Sequence, residues 1–490
     1  MLFFCQKVVF FMKNISVQVS QHDKYQVELK FICPIKEGKK VGDYYIELFF
    51  YLPRNLGVNA ANYGTGDFYN DFYENIRFKT PSVDLSALAH PNHELWKRLQ
   101  NRSSAKNDTE YGKLLKLFCS IAKSAMRDSE NIIESVPQAQ LPGLSKRFME
   151  DIHSLVDQYR QCRKFAPAEC LELFDLVDEF LSIASASYCC KLWKYIERSA
   201  NAAEAADSAA EIVAFVKNES TIRAEKGYPS VPSSTGDNSE LLYRESTLKK
   251  AMAGILFLKV ETRRAGVVVE NILLGVSAAI AMIFVTAISF LWQGFFLEEF
   301  SISFFIVWVI AYMFKDRIKS SLQILCLKYR NRYSYDFKQM IRDGLDNKIG
   351  ICREGFRFCD EKDVPSEVNR KRNRHTLSRL ENGSLDENIM VFRKRIDIFA
   401  DPCRDIFREF DVDGIVDILR LNIRHWTYKM DNPSRSIYFS DGKEIKKTKA
   451  LRDYHVNMVV RYGESRKDSN IERYRLVLCR SGIRKLEKIQ

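Results

Sequence analysis

The run VVVENILLGVSAAIAMIFVTAISFLW, Val267 to Trp292, constrains this chain more than any other stretch. As a helix its 26 residues would extend about 39 Å, more than the ~30 Å of a bilayer's hydrocarbon layer. Its one ionisable residue, Glu270, and the adjacent Asn271 fall in the first turns, within reach of an interface. A water-soluble helix this apolar would need an enclosing core, and the flanking sequence offers none. The run therefore predicts a transmembrane helix over 267–292.

A second apolar run, Phe300 to Phe314, is shorter, about 22 Å as a helix. Started near Phe295 it reaches 20 residues, about 30 Å, and Glu298 and Glu299 then fall in its first turn. There the unpaired N–H groups and the positive end of the helix dipole favour carboxylates. Trp292 supplies an interfacial aromatic, and Gln293-Gly294 a tight turn. The alternative, a working pair of carboxylates inside the bilayer, is the weaker reading because helix-end electrostatics already accounts for them. The expectation is a two-helix transmembrane hairpin, 267–292 and 295–314. Arg263 and Arg264 precede it, Lys315, Arg317 and Lys319 follow it, and no Lys or Arg lies between. The positive-inside rule then places both flanks, and both termini, in the cytoplasm. Gly275 and Ala279, four apart, offer a small-residue face for packing the two helices together.

The rest of the 490 residues reads as water-soluble domains: the chain is 46% hydrophobic but also 28% charged. Residues 14–52 alternate with period two (Ile15, Val17, Val19; Val27, Leu29, Phe31; Ile46, Leu48, Phe50, Leu52), predicting three strands of a small antiparallel sheet in an N-terminal β-rich domain, 1–85. A short helix is expected from Asp67. From 86 to 226 the period becomes helical. Leu114, Phe118, Ile121 and Ala125 form one stripe and Leu144, Phe148, Ile152, Leu155 and Tyr159 another, predicting a helical bundle. GYPSVPSSTGDNSE, 227–240, reads as a linker. A pre-membrane helix and the hairpin occupy 241–320. Residues 321–490 form a basic cytoplasmic α+β domain, with a helix over 318–346, a basic loop at Val368–Arg379, a hairpin turn at Asp441-Gly442, and strands alternating at Val456, Met458, Val460, Tyr462 and at Tyr474, Leu476, Leu478. The fold class is thus a multi-domain α+β membrane protein. At the start of the chain, MLFFCQKVVFFMKN lacks a small-residue cleavage site; Met1 and Met12 are both plausible translation starts.

No phosphate-binding loop, dinucleotide fingerprint, hydrolase elbow, zincin or kinase motif is present. The 12 cysteines are scattered without a CxxC pair, the pattern of reduced buried thiols rather than of a zinc site or disulfide framework. Asp411-Val412-Asp413-Gly414 has its glycine two places too early for a calcium loop and reads as an acidic turn. His90 and His93 are better placed to open a helix than to bind metal. His425 and His455 are the first groups to test should the chain be an enzyme. No cofactor and no metal are expected.

The formal charge of +12 is unevenly placed: Lys315–Gln490 holds 40 Lys+Arg against 27 Asp+Glu, whereas residues 1–314 hold 35 against 36. Lys315–Lys319 and Lys328–Arg332 are positioned for anionic lipid headgroups. Nucleic-acid binding by Val368–Arg379 and Lys443–Lys449 is a second reading, and a solvated basic face a third. The sequence thus predicts an integral protein of a prokaryotic inner membrane, acting as a non-enzymatic scaffold or sensor with a protein partner or a second copy of itself. The alternatives are a pore-forming effector gated by the soluble domains, a membrane-anchored nucleic-acid-binding protein, or an enzyme without a recognisable motif.

Overall fold

In the computed structural model, residues 15–34, 41–101, 108–199, 206–233, 236–296, 302–333, 335–344, 346–372, 387–399, 412, 414–432, 434–466 and 468–489 are described. They form an α+β protein of two units. One is built within Met1–Ile76, Lys259–Cys403 and Ile415–Gln490, the other within Arg77–Leu258 and Arg404–Gly414.

The first unit stacks two sheets. Alternating apolar residues in β1 (Ser16–Gln21) and β2 (Gln26–Pro34) turn Val27, Leu29 and Phe31 inward. These strands pair antiparallel and belong to a four-stranded sheet of order β1-β2-β9-β4, with β4 at Phe72–Phe78 and β9 at Gly414–Asn422. The third strand, β3 (Val41–Pro53), joins a different sheet. Its sequence YYIELFFYLP is apolar on both faces, the pattern of a central strand covered on each side. It lies between strands of the C-terminal half in an eight-stranded sheet of order β14-β13-β12-β3-β8-β7-β6-β5, in which every neighbouring pair is antiparallel. The strands are β5 (Lys259–Arg264), β6 (Phe337–Arg342), β7 (Lys348–Cys359), β8 (Glu387–Phe399), β12 (Tyr454–Gly463), β13 (Ser469–Cys479) and β14 (Gly482–Ile489).

These sheets run across the expected division into an N-terminal β domain, 1–85, and a C-terminal domain, 321–490. The three N-terminal strands do not make a sheet of their own: β1 and β2 pair with each other, whereas β3 satisfies its two hydrogen-bonding edges by pairing with β8 and β12. A helix over 318–346 is corrected: the helical stretch ends at Tyr333 and β6 follows.

Aromatic side chains fill the space between the sheets. Helix α1 (Thr65–Asp71) supplies Phe68, whose ring stacks on Phe356 of β7 at 4.1 Å; Phe72 meets Phe392 of β8 at 4.5 Å. On the other face of the large sheet, Phe49, Tyr51, Ile389, Val391 and Val459 pack with Val364 and Val368.

The second unit holds helices α2 (Leu85–Leu88), α3 (Glu94–Gln100), α4 (Asp108–Ser135), α5 (Leu141–Gln161), α6 (Leu171–Arg198), α7 (Ala206–Glu225) and α8 (Ser239–Ala253). The predicted stripes are its core: Phe118, Tyr159 and Phe174 stack in sequence, at 5.4 and 4.3 Å. Arg160 of α5 clamps Asp178 of α6 at 2.9 Å and Glu219 of α7 at 2.7 Å, and Lys226 and Tyr228 reach the same Asp178. Arg244 of α8 pairs with the buried Glu179 at 2.7 Å. The stretch read as a linker, 227–240, thus begins by tying α7 to α6.

Candidate functional site

Two features of the first unit are candidates for function: the helices that leave the large sheet at β5, and a buried charged cluster between the two sheets.

Helix α9 (Val267–Phe296) starts three residues after β5, and α10 (Ile302–Tyr333) ends shortly before β6. The two helices pack along one another. Ser277, Ala281 and Val285 of α9 and Ala311 of α10 are buried. Elsewhere both helices expose large apolar side chains, among them Val268, Ile272, Ile283, Phe290, Phe305, Ile306, Trp308 and Met313. Among the described residues one helical stretch, Val267–Leu291, is long and apolar enough to cross a membrane. Helix α10 is not: after Ile302–Phe314, about 20 Å of apolar helix, it continues through Lys315, Asp316, Arg317 and Lys319. A hairpin of two independently spanning helices is therefore not supported.

The expected boundaries change accordingly. Helix α9 continues through Gln293-Gly294 to Phe296, so no turn forms there, and Trp292 is helical. Glu298 and Glu299 lie outside the described residues. Lys315, Arg317 and Lys319 sit in the middle of α10 rather than beyond its end, with Lys315 over the Tyr312 ring at 4.1 Å. Arg263 and Arg264 are exposed at the end of β5. Gly275 and Ala279 are exposed, and a Cβ at Gly275 would meet nothing within 4 Å. The packing seam contains Ser277 and Ala281 instead, two positions further round the helix.

The second feature was hidden in the basic run FRKRI of β8. Its middle residue, Lys394, is fully buried, while its neighbours face the other side of the sheet. Its ammonium lies 2.7 Å from Glu74 of β4, 3.0 Å from Asp417 of β9 and 3.2 Å from Glu354 of β7. Gln339 of β6 donates to Glu74 and, at 3.3 Å, to Glu354. Three carboxylates around one ammonium cannot all be ionised in a dry interior. Burial pushes Glu354 well above the carboxylate range, and a hydrogen bond to Glu74 adds to this. Burial, with Glu74 nearby, brings Asp417 up to about 6 despite Lys394. Burial also acts on Glu74, but Lys394 and the hydrogen bonds from Glu354 and Gln339 outweigh it and bring that carboxyl down to about 2. Burial opposes the charge on Lys394, and the three carboxyls more than restore it. Around the Lys394 ammonium, Glu354 and Asp417 are thus shifted toward the protonated form and Glu74 toward the ionised one. The cluster joins both sheets; Lys394, Glu354 and Asp417 are closed to solvent, while Glu74 is partly exposed.

The remaining candidates resolve simply. His93 caps α3, its Nδ1 accepting from the Leu95 N–H at 3.3 Å. His425 lies in the short helix α12 (Arg424–Thr427; α11 is Ser366–Arg372), 3.7 Å from Asp71. His455 is exposed on β12. No three His, Cys, Asp or Glu residues form a metal-binding group among the described residues. Val368–Arg379 is helical at its start. Val368 enters the core and Arg372 is buried against Glu387 at 2.5 Å, so part of this basic run is structural. Residues 373–379, Asp411 and Asp413 lie outside the described residues. Strands β10 (Ser434–Ser440) and β11 (Ile445–Leu451) form the expected hairpin at Asp441-Gly442.

No protein family, curated protein or solved structure matches the chain.

Proposed function

We propose that this chain is a membrane-anchored, non-enzymatic scaffold or sensor, with its sheet unit on one side of the bilayer and α9–α10 as the anchor. The observation that carries this reading is the pairing of β5 with β6, Arg264 opposite Phe337. These strands directly flank the helix pair and belong to one sheet, which cannot be divided by a membrane. Whatever depth α9 reaches, the chain between β5 and β6 must leave and return on the same side. Helix α10 is the return leg. Its apolar part accompanies the distal half of α9, and its lysines and arginines lie nearer the sheet, where snorkelling brings them to headgroups. Their sign makes the sheet side the cytoplasmic one. The scaffold reading is favoured by the character of the polar core, since Lys394 and its three carboxylates are engaged in joining sheets.

Topology mapping tests this. Single cysteines are placed at Gly294 and Gly442 in a cysteine-depleted full-length chain, and intact cells are treated with an impermeant thiol reagent. Labelling is expected at 294 and absent at 442 until the membrane is broken. Labelling at 442 from outside, or release of the whole chain by alkaline carbonate, would refute the arrangement.

A further inference from the structure

Strands β10 and β11 form an arm separate from both larger sheets. They pair in register from Ser434–Leu451 to Ser440–Ile445, and Gly442 takes the left-handed φ of 91° that closes the turn. Every residue from Ser434 to Lys449 is exposed. A two-stranded ribbon with neither face covered is marginally stable in water. This one nevertheless exposes Ile437, Tyr438, Phe439, Ile445 and Leu451, with Ile445 78% accessible. Five basic residues, Arg435, Lys443, Lys446, Lys447 and Lys449, stand against Asp441 and Glu444.

The register distributes these residues over both faces. Arg435, Ile437, Phe439 and Lys446 share one; Tyr438, Ile445, Lys447, Lys449 and Leu451 share the other. Apolar groups interleaved with long cationic ones suit a partner that is anionic outside and apolar just beneath. There, aliphatic and aromatic side chains enter the acyl boundary while lysine stems lie along it with their ammoniums at the phosphates. A nucleic-acid backbone would engage the lysines but leave Ile437 and Ile445 in water. Strand direction is compatible. Counting antiparallel neighbours from β5 through β6, β7, β8 and β3 to β12, the ribbon enters β12 from the side toward which α9 leaves β5, although the register sets Arg264 level with Tyr462 near the far end of β12.

We propose that the β10–β11 ribbon is a second membrane contact, seated in the interfacial region of a bilayer bearing anionic headgroups. The inference rests on the anchored reading above. Its test is hydrogen exchange on the full chain in lipid nanodiscs, zwitterionic or with an added anionic lipid, following peptides from 434–451 and from 267–291. In both discs 267–291 is expected to be strongly protected. The ribbon should exchange at least about tenfold more slowly with anionic lipid, and Lys446→Glu/Lys447→Glu/Lys449→Glu should erase that difference without altering protection elsewhere. Equal ribbon exchange in both lipids, with 267–291 protected, overturns the ribbon proposal alone. So does slowing by a DNA duplex, or by raised protein concentration, without an effect of anionic lipid. Free exchange of 267–291 overturns the anchor, and the ribbon proposal with it.

Discussion

Replacing Lys394 with methionine is expected to destabilise the sheet unit by about 3–5 kcal/mol, the cost typical of removing one partner from a buried ionic cluster. The methionine would fill much of the space, but Glu74 and Asp417 would be left facing each other without the ammonium that lies 2.7 and 3.0 Å from them. Glu354→Gln should behave differently and cost less than about 1 kcal/mol. Burial favours the neutral form of its carboxyl, and an amide preserves that form's charge and most of its hydrogen-bonding capacity. Denaturant titration of the full chain in detergent, read by hydrogen exchange of β7 and β8, compares the two. Equal losses would show that Glu354 is ionised and that the proton sits elsewhere.

The same cluster gives the unit a pH dependence opposite to that of an ordinary surface ion pair. Asp417 is raised from 3.8 to about 6, so the folded state holds a proton that the unfolded chain has lost. Stability from this group is full below about 3.8 and declines as pH rises through 6. Glu354, also raised, acts in the same sense above 4.5. Glu74, lowered to about 2, acts oppositely, but its contribution is complete once pH exceeds 4.5. Between pH 5 and 7 the raised pair governs. The thermal midpoint of the sheet unit should therefore be higher at pH 5 than at pH 7, and Asp417→Asn should flatten that slope. A slope that is unchanged in the variant would assign the effect to other groups.

Local pattern disclosed what depends on neighbours in sequence. The length of Val267–Trp292 marked the membrane candidate, the four-and-three spacing of Phe148, Ile152, Leu155 and Tyr159 marked α5, and Asp441-Gly442 marked the ribbon turn. What remained hidden depends on partners far along the chain. Strand β3 was visible, but that it belongs with β8 and β12, over 300 residues away, is not written in its period. Its double-faced apolar character was the available clue that it is central. Lys394 sits between Arg393 and Arg395 and looks like them. Only Glu74, Glu354 and Asp417, contributed by three other strands, make its burial tolerable. The first helix ends later than Gly294 suggests: glycine is a turn former in water, whereas an apolar helix with a long partner alongside continues through it.

The sharpest discrimination between a bilayer and water around α9 comes from the residues it exposes. Val276, Ile280 and Ile283 share one stripe near the middle of Val267–Leu291, and Ile283 is 66% accessible. In water, lysine at such sites alters stability by no more than about 0.5 kcal/mol each, because no contact is lost and a charge is well solvated. At the centre of a bilayer each lysine costs about 2.5–3.5 kcal/mol, so three exceed what tilt and snorkelling along one helix can recover. The combined Val276→Lys/Ile280→Lys/Ile283→Lys chain is therefore expected to move from the carbonate-resistant membrane fraction to the soluble or degraded fraction, while the helical unit at Arg77–Leu258 keeps its proteolytic resistance. A chain that stays in the membrane fraction with all three lysines would mean that this stripe does not meet lipid. The apolar surface of α9 would then have to be covered by protein, most simply by the same stripe of a second copy.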